Sequence, residues 1–333
     1  MKKSLIALAA LATISGAAFA QSSVTVYGRL DASVGSDKDD IANTSTTKLF
    51  SGNLTTSRLG FKGTEDLGGG LRANFQLEGA LTVDDGTSAG LKFDRASWVG
   101  LSGGFGAVRM GLIDSAYKDI YDLGNVYNLY DSEFTASKIA YAVGTNGGVN
   151  NFTSRPTNQV RYDTPSFGGF SAGVSYAFDE TAGVSNDLTA FNLRYRAGQL
   201  DAGFAYQEQS NSTTPASDLK YSVVSAGYDF GAFRLSGQYQ NAKNGAGLKD
   251  NEFAFGATVP FGAFDVSAGY AYGKSKLNGA TSAKGSAFSF GGTYAMSKRT
   301  RLYAAYLTGD VENGAGTKVT DRSRYAVGVR HDF

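Results

Sequence analysis

Residues 24–35 read VTVYGRLDASVG, and the character of the side chain changes at every step. Val26 and Leu30 fall on one side of an extended chain, whereas Arg29 and Asp31 fall on the other. A period of two indicates a β-strand with one apolar and one polar face. A slip of one residue would exchange the two faces, so this pattern also specifies the pairing register.

The same alternation runs through most of the chain, for example in LRANFQLEG (71–79) and FNLRYRAG (191–198). Three segments are near repeats of one hairpin: SFGGFSAGVSYAF (166–178), DFGAFRLSGQYQ (229–240) and PFGAFDVSAGYAY (260–272). Glycine supplies the positive φ that hairpins of two to four residues need. The chain therefore reads as a series of antiparallel strands joined by tight glycine turns.

Tight turns alternate with longer polar connections along the chain, and the segments between them predict sixteen strands. The longer connections cover 36–55, 84–90, 114–157, 180–187, 210–219, 243–250, 276–284 and 310–320. The strands are predicted at 22–35, 56–65, 70–83, 91–102, 106–113, 158–165, 169–179, 188–197, 200–209, 220–229, 232–242, 251–260, 263–275, 285–295, 300–309 and 321–333.

The composition narrows the class of protein. Glycine contributes 44 of 333 residues, tyrosine and phenylalanine 19 and 22, and charged residues are 18%, below the ~25% of soluble domains. The mean hydropathy is −0.21, and no stretch after residue 20 resembles a spanning helix. Membrane β-barrels combine these properties because one strand face is polar and lines the lumen. The absence of cysteine excludes a disulfide scaffold.

Residues 1–20, MKKSLIALAALATISGAAFA, have the three parts of a secretory signal peptide: two lysines, an apolar run, and a small-x-small cleavage site at Ala18–Ala20. The apolar run is too short for a transmembrane anchor. We therefore expect export and a barrel domain over 21–333. Without Lys2 and Lys3 the 31 Lys+Arg fall to 29 against 30 Asp+Glu, and this near-neutral balance predicts no nucleic-acid partner.

An even number of strands, with short turns at one end and long loops at the other, is the pattern of the bacterial outer membrane. We predict an all-β, 16-stranded antiparallel transmembrane β-barrel with short periplasmic turns and long external loops. The first and last strands must pair, because lipid cannot satisfy an open sheet edge. Phe333 then lies at the periplasmic interface, and we expect it to be an insertion signal recognised by the barrel-assembly machinery.

Charged side chains on the inward face predict a basic wall. An arginine facing lipid at the midplane costs about 2–4 kcal/mol, so these residues must line water. The inward phase of the first six strands selects Arg29, Arg58, Lys62, Arg72, Arg95, Arg109 and Arg161.

Five stretches together resemble the sixteen-stranded general porins of Gram-negative bacteria, particularly the β-proteobacterial, Neisseria-like type. They are SSVTVYGRLDASVG, SRLGFKGTEDLGGGLRANFQLE, RASWVGLSGGFGAVRMGLID, RPTNQVRYDTPSFGGFSAGVSYAF and YAVGVRHDF, and they span most of the chain. The resemblance implies a homotrimer and a third loop that folds into the lumen. Arg29, Arg58, Arg109 and Arg161 match the family's basic cluster.

The longest connection, 114–157, takes the place of that constriction loop, and a loop of this length in a compact fold is usually functional. We expect its acids to face the basic wall: Asp114, Asp119, Asp122, Asp131 and Glu133. Around Glu133 the sequence SEFT departs from the Pro-Glu-Phe-Gly-Gly tip of enteric porins, so the tip geometry is not carried over.

These expectations together describe a passive diffusion channel for ions and small hydrophilic solutes, in contact with outer-membrane lipid and lipopolysaccharide. Inward arginines slightly exceed the loop acids, which favours a weak preference for anions. A solute-selective porin and a structural or adhesive barrel of low conductance remain as alternatives. The single histidine, His331, falls on an apolar edge, so we predict no enzyme, cofactor or metal site.

Overall fold

The computed structural model describes residues 23–86, 92–124, 132–144, 152–180, 186–210 and 218–333. The predicted signal peptide at 1–20 lies outside these residues and stays a prediction. Within the described part the strands form one antiparallel sheet that closes on itself, and no helix there is long and apolar enough to cross a membrane.

Seventeen strand segments make up the sheet. They are β1 (Ser23–Asp39), β2 (Thr44–Ser51), β3 (Arg58–Gly68), β4 (Leu71–Ala80), β5 (Ala96–Gly103), β6 (Gly106–Leu112), β7 (Gln159–Asp163), β8 (Phe170–Ala177), β9 (Leu188–Ala197), β10 (Leu200–Gln209), β11 (Leu219–Asp229), β12 (Arg234–Asn244), β13 (Leu248–Phe261), β14 (Phe264–Leu277), β15 (Ala280–Ala295), β16 (Thr300–Asn313) and β17 (Lys318–Asp332).

The predicted sixteen-stranded barrel is confirmed, because β2 and β3 are two parts of one barrel strand. Both pair with β1: β3 along its first half, ending at Arg29↔Arg58, and β2 along its second half, from Ala32↔Ser51. On its other edge β1 pairs with β17, starting at Arg29↔Asp332. The sheet therefore has no free edge, as the lipid environment requires.

The end of the barrel that carries Ser23 and Phe333 is here called the terminal end, and the opposite end the loop end. The three repeated hairpins turn at the terminal end, where Gly168, Gly231 and Gly262 have φ values of 57°, 83° and 62°. The predicted reason for these glycines is thus confirmed, since a side chain would be strained at such a φ.

Four of the predicted long connections at the loop end are wrong. Residues 36–55 form the end of β1, a turn and β2, and the segments 243–250, 276–284 and 310–320 shrink to turns of a few residues. Beyond the membrane-spanning part of the predicted barrel both faces of a hairpin meet water, so its side chains lose the apolar–polar alternation by which strands were recognised. The wall from β12 round to β2 is therefore taller than predicted.

Residues 52–57 interrupt the second barrel strand and turn into the lumen. The carboxylate of Asp31 holds this segment by accepting hydrogen bonds from the backbone of Leu54 (2.9 Å) and Thr55 (2.7 Å) and from the hydroxyl of Tyr303 (2.7 Å). Leu54 is buried as a result. Sequence patterning placed residues 52–55 in an external loop and 56–57 in the second strand, because the polar side chains of 52–55 resemble those of a solvent-exposed turn.

The connection between β6 and β7 enters the barrel, as predicted. It contains α1 (Ala116–Leu123), α2 (Ser137–Ala140) and a 3₁₀ turn (Tyr141–Gly144). One buried cluster forms where α1 meets the wall and includes Tyr117, Ile120 and Tyr221. A second forms where α2 meets it and includes Phe134, Ala140 and Tyr303. Apolar side chains on the outer face, such as Phe255 (57% exposed) and Val327 (64%), have no protein cover.

Candidate functional site

A cavity of about 640 Å³ lies in the lumen between α1 and the facing wall. Its lining is mostly charged: nine arginines and Lys118 against three aspartates and Glu78. The strands contribute their inward-facing side chains to this lining. The helix α1 packs against the wall with one side and contributes side chains from its other side. The site is therefore a narrow, wet and strongly basic opening.

Five of the six arginines predicted for the basic wall line this cavity: Arg29, Arg58, Arg95, Arg109 and Arg161. Arg72 does not. It lies exposed at the start of β4, opposite Asp66 and next to the glycine turn of the terminal end. Periodicity assigned Arg72 to the correct face of its strand but contained no information on its height in the barrel.

Three of the predicted loop acids, Asp114, Asp119 and Asp122, line the same cavity. Glu133 lies elsewhere, bound to Lys138 (3.0 Å) and to Arg324 (3.3 Å) beside a second cavity towards the loop end. Asp131 falls outside the described residues.

Other basic residues of the cavity were not selected from the sequence. They are Lys118 and Arg155 of the loop segment and Arg194, Arg301 and Arg330 of β9, β16 and β17. The signal was available for the strand residues, since Arg194 and Arg330 alternate with apolar neighbours in the same phase as Arg29. We here call the eight cavity-lining arginines on or next to strands the arginine wall: Arg29, Arg58, Arg95, Arg109, Arg161, Arg194, Arg301 and Arg330.

Six members of the arginine wall stand opposite one another in cross-strand pairs. The sheet register joins Arg29 to Arg58, Arg109 to Arg161 and Arg301 to Arg330. Like charges directly opposite each other destabilise a sheet. Three such pairs around one opening concentrate positive charge at the cavity at a cost to the stability of the wall.

Acidic side chains neutralise part of this charge. Arg161, with 4% of its side chain exposed, binds Asp163 (2.7 Å) and also Asp119 of α1. Arg155 binds Asp114 (2.6 Å), and Lys118 binds Asp122 within the helix. The loop acids are thus held by ion pairs.

Positive charge remains in excess at β1, β16 and β17. Asp332 binds both Arg29 and Arg330, the latter at 3.0 Å, while Arg301 has no acidic partner among the described residues. In the arginine wall, the Nε atoms of Arg109 and Arg330 are buried and have no hydrogen-bond acceptor among the described residues. Arg301 lines the opening without an ion pair in the described part of the chain, so its guanidinium can donate hydrogen bonds to a passing anion.

A hydrogen-bonded group fixes one side of the opening. Glu78 accepts from Arg95 (2.8 Å) and from the hydroxyl of Tyr27 (2.9 Å). Gln76 donates to Tyr27 (2.6 Å) and accepts from the indole of Trp98 (3.2 Å). The guanidinium of Arg109 lies 5.5 Å from the Trp98 ring centre, a cation–π contact.

The opposite side of the lumen seats the loop. The hydroxyl of Tyr117 donates to Gln240 (3.0 Å), whose amide donates to Glu252 (2.8 Å), and Ser115 donates to Gln207 (2.8 Å). Burial raises the pKa of Tyr117 well above its ordinary value, so its hydroxyl stays protonated and keeps donating.

Glycines on the wall make room for this loop. A Cβ on Gly203 would overlap Ile120, and one on Gly273 or Gly285 would overlap the backbone of Ala140. The loop therefore packs closely against this part of the wall, and this packing sets the width of the opening.

The model of a known protein family matches residues 7–315, and its description is Gram-negative porin. The chain belongs to this family. Outer membrane porin protein 32 of Delftia acidovorans is 38% identical, and major outer membrane protein P.IB of Neisseria meningitidis serogroup B is 33% identical, each over the full length of both chains. The anion-selective porin from Comamonas acidovorans has a solved structure with a TM-score of 0.82 and 31% identity, covering 94% of this chain and 100% of that one.

The resemblance stated from the sequence is thereby confirmed, and the protein is an outer-membrane porin: a channel in which ions and small hydrophilic solutes diffuse. Its terminal end is the periplasmic end and its loop end the external one. The loop L8 deletion mutant of OmpT of Vibrio cholerae, at 19% identity and a TM-score of 0.73, shares the fold. The charged opening is called the constriction below, and the segment around α1 the constriction loop.

Proposed function

We propose that this porin prefers anions, and that the three cross-strand arginine pairs of the constriction give it that preference. They place Arg29 and Arg58, Arg109 and Arg161, and Arg301 and Arg330 around one opening, and only part of their charge is met by acids. A ring of arginines in a narrow pore attracts anions and repels cations.

The relation between wall and loop suggests how a solute passes. Asp119 and Asp122 on α1 lie across the opening from the arginines of β1, β16 and β17, so that the field crosses the channel. A polar solute exchanges its hydration for hydrogen bonds with the guanidinium groups, whereas an apolar solute loses ordered water without replacement. The Comamonas porin of similar structure is described as anion-selective, which supports the same preference here.

We also propose a homotrimer that forms through the outer faces of the strands near the termini. The rings of Phe333 and Phe75 reach over Gly28 and Gly63 on this face, so that aromatic side chains cover the glycine positions. The sequence resemblance to trimeric porins supports the assembly. The protein would act as a channel without catalysing a reaction, and the role of Phe333 in membrane insertion stays a prediction.

The reversal potential of single channels in a planar bilayer under a KCl gradient tests the anion preference. We expect the wild type to be anion-selective and to close in three steps. Replacing both arginines of one pair, in R301Q/R330Q, should move the reversal potential towards zero or beyond it.

The matched control is R72Q/R299Q, which removes the same charge from exposed arginines at the periplasmic end, outside the constriction. This control should keep the wild-type reversal potential. A cation-selective wild type, or equal shifts in both variants, would contradict the proposal. Folded trimers without any current would contradict the channel itself and leave a structural barrel.

A further inference from the structure

The outer face of β11–β14 carries a line of lysines at its external end. We here call Lys220, Lys243, Lys249 and Lys276 the lysine row; each lies on a different one of these four neighbouring strands. The register places them directly opposite one another, as Lys220↔Lys243, Lys243↔Lys249 and Lys249↔Lys276. Four like charges thus stand side by side across the sheet.

A second line lies two residues closer to the membrane. It pairs Asn241 with Asn251, Asn251 with Lys274, and Lys274 with Lys284 on β15. Lysines and neutral amides, which are hydrogen-bond donors, therefore fill both lines.

These side chains point away from the lumen. Their chain neighbours Tyr221, Ala242, Asp250 and Ser275 are buried on the inner face, and successive strand residues point to opposite faces. Lys249, for example, is exposed, whereas Asp250 next to it lies inside the barrel wall. The inner acids therefore do not pair with the outer lysines.

Aromatic residues follow directly below the two lines. Tyr239, Phe253 and Tyr272 are cross-strand neighbours, and Phe255 and Tyr270 form the next level down. In membrane barrels an aromatic girdle marks the boundary between hydrocarbon and headgroups. The lysines stand two to four residues beyond it, about 7–13 Å along the strands. Because barrel strands tilt by about 40°, this is about 5–10 Å above the girdle, at the level of the headgroups of the outer leaflet.

Among the residues that the structure describes, acidic partners occur at the two ends of this surface. Glu208 binds Lys220 at 2.7 Å, and Glu312 stands opposite Lys284. Within the described ranges Lys243, Lys249, Lys274 and Lys276 have no ion pair. Like charges directly opposite each other cost stability, so the isolated barrel gains nothing from this arrangement.

We propose that the lysine row and the second line below it bind the phosphate groups of lipopolysaccharide in the outer leaflet. Three strand spacings of ~4.8 Å make the row about 14 Å long, which suits a sugar headgroup that carries more than one phosphate. The acyl chains of the same lipid would lie on the aromatic face below. A soluble anion would use the lysines but not that face.

The position in the barrel agrees with a lipid partner. The strands β11–β14 lie across the ring from β1–β4, whose outer faces are proposed to meet the other copies in the trimer. The lysine row would therefore face the bilayer in the assembled protein. The inference does not depend on the ion preference proposed above.

The test measures binding of purified trimers in detergent to bisphosphorylated lipid A, by native mass spectrometry. The triple variant K243Q/K249Q/K276Q is compared with the wild type and with K38Q/K298Q/K318Q. The control removes the same charge from exposed lysines, of which Lys38 and Lys318 bind Asp40 and Asp321. We expect roughly a hundredfold weaker binding for the triple variant, because each lysine near an anionic lipid contributes about fivefold. The control should bind within about twofold of the wild type.

Two further arms identify the source of the phosphate. Lipid A without its phosphates should bind the wild type and the triple variant equally weakly, and inorganic phosphate should not displace intact lipid A. Equal binding of lipid A by the wild type and the triple variant would overturn the proposal. Displacement by inorganic phosphate at millimolar concentration would also overturn it, in favour of a site for soluble anions.

Thermal unfolding provides a second measurement on the single variant K249Q, in which the lysine with lysine neighbours on both sides is neutralised. In detergent without lipid A its Tm should be equal to or above that of the wild type, because repulsion is relieved. With lipid A the order should reverse. A lower Tm in both conditions would assign Lys249 a purely structural role and contradict the proposal.

Discussion

Two sides of the lumen use the same inward-facing positions in opposite ways. On β1, β3, β6, β7, β16 and β17 these positions hold arginines that line the constriction. On β10, β14 and β15, where the loop rests, they hold glycines such as Gly203, Gly273 and Gly285. Inward positions that face the water of the opening hold charged side chains, whereas those that touch the loop hold glycine. The alternation along a barrel strand therefore determines only whether a side chain points into the lumen. The type of residue at an inward position depends on whether water or the loop lies next to it.

The largest effect is expected where the two sides are joined, at Arg161. Its guanidinium links Asp163 of the wall to Asp119 of the loop, and its side chain is nearly buried. R161Q leaves two carboxylates without this partner and should lower stability by about 3–5 kcal/mol, with a wider and noisier channel. Thermal unfolding and single-channel recording measure both effects.

R196Q is the control for Arg161, because the guanidinium of Arg196 is 62% exposed and Asp201 keeps its second partner, Arg194. If R196Q lost as much stability as R161Q, an exposed ion pair of the wall would contribute as much as the buried one. Arg161 would then have no special role in joining the wall to the loop.

Filling the seat should have the next largest effect. In G285L the new side chain would overlap the backbone of Ala140, so the loop must move towards the opening or leave the wall. Overpacking of this kind costs about 1–3 kcal/mol. We expect altered single-channel conductance together with a lower Tm. Gly104 has open space around its Cβ position, so G104A should conduct as the wild type does. Wild-type conductance in G285L would show that the seat does not position the loop.

The inward turn at 52–57 gives a smaller effect. D31N weakens the acceptor that holds the backbone of Leu54 and Thr55 and the hydroxyl of Tyr303, and should cost about 1–3 kcal/mol. Because Thr55 lines the constriction, open-channel noise should also rise. D84N at an exposed turn position is the control, and similar noise in both variants would remove Asp31 from this role.

The smallest effect is expected from a single hydrogen bond of the seat. Y117F removes the donor to Gln240 but keeps the ring against Phe152 and Tyr221, so it should cost about 1 kcal/mol and leave the reversal potential unchanged. Y228F on the outer face should leave the Tm unchanged. A shift of the reversal potential in Y117F would show that the seat also tunes ion preference, which would blur the distinction between the two sides.

Much of this architecture could be predicted because period two is a local property. The strand count, the tight glycine hairpins and the inward face of the arginines on the first six strands follow from neighbouring residues. Height and register are not local, which is why Arg72 was grouped with Arg29 although the barrel separates them. The cross-strand pairing of Lys243 with Lys249 depends on where the 245–247 turn falls, and polar hairpin ends do not show this in their sequence.

The inward turn at 52–57 was missed for a different reason. Its hydrogen bonds join Asp31 to Leu54 and to Tyr303, which is 272 residues away in sequence. No periodicity links such positions, and Asp31 alone looks like any other polar residue on a lumenal face. Residues that act through distant backbone atoms are outside the reach of pattern analysis.

The pairing of β1 with β17 has a consequence for how the protein is made. Arg29 and Asp332 are 303 residues apart, yet they are partners in the seam that closes the ring. Until the last strand has been synthesised and exported, the first strand lacks its neighbour and exposes an edge that invites pairing with other chains. Closure over so long a stretch of chain is also slow. The polypeptide must therefore cross the periplasm unfolded, and its assembly depends on protection against aggregation during that delay.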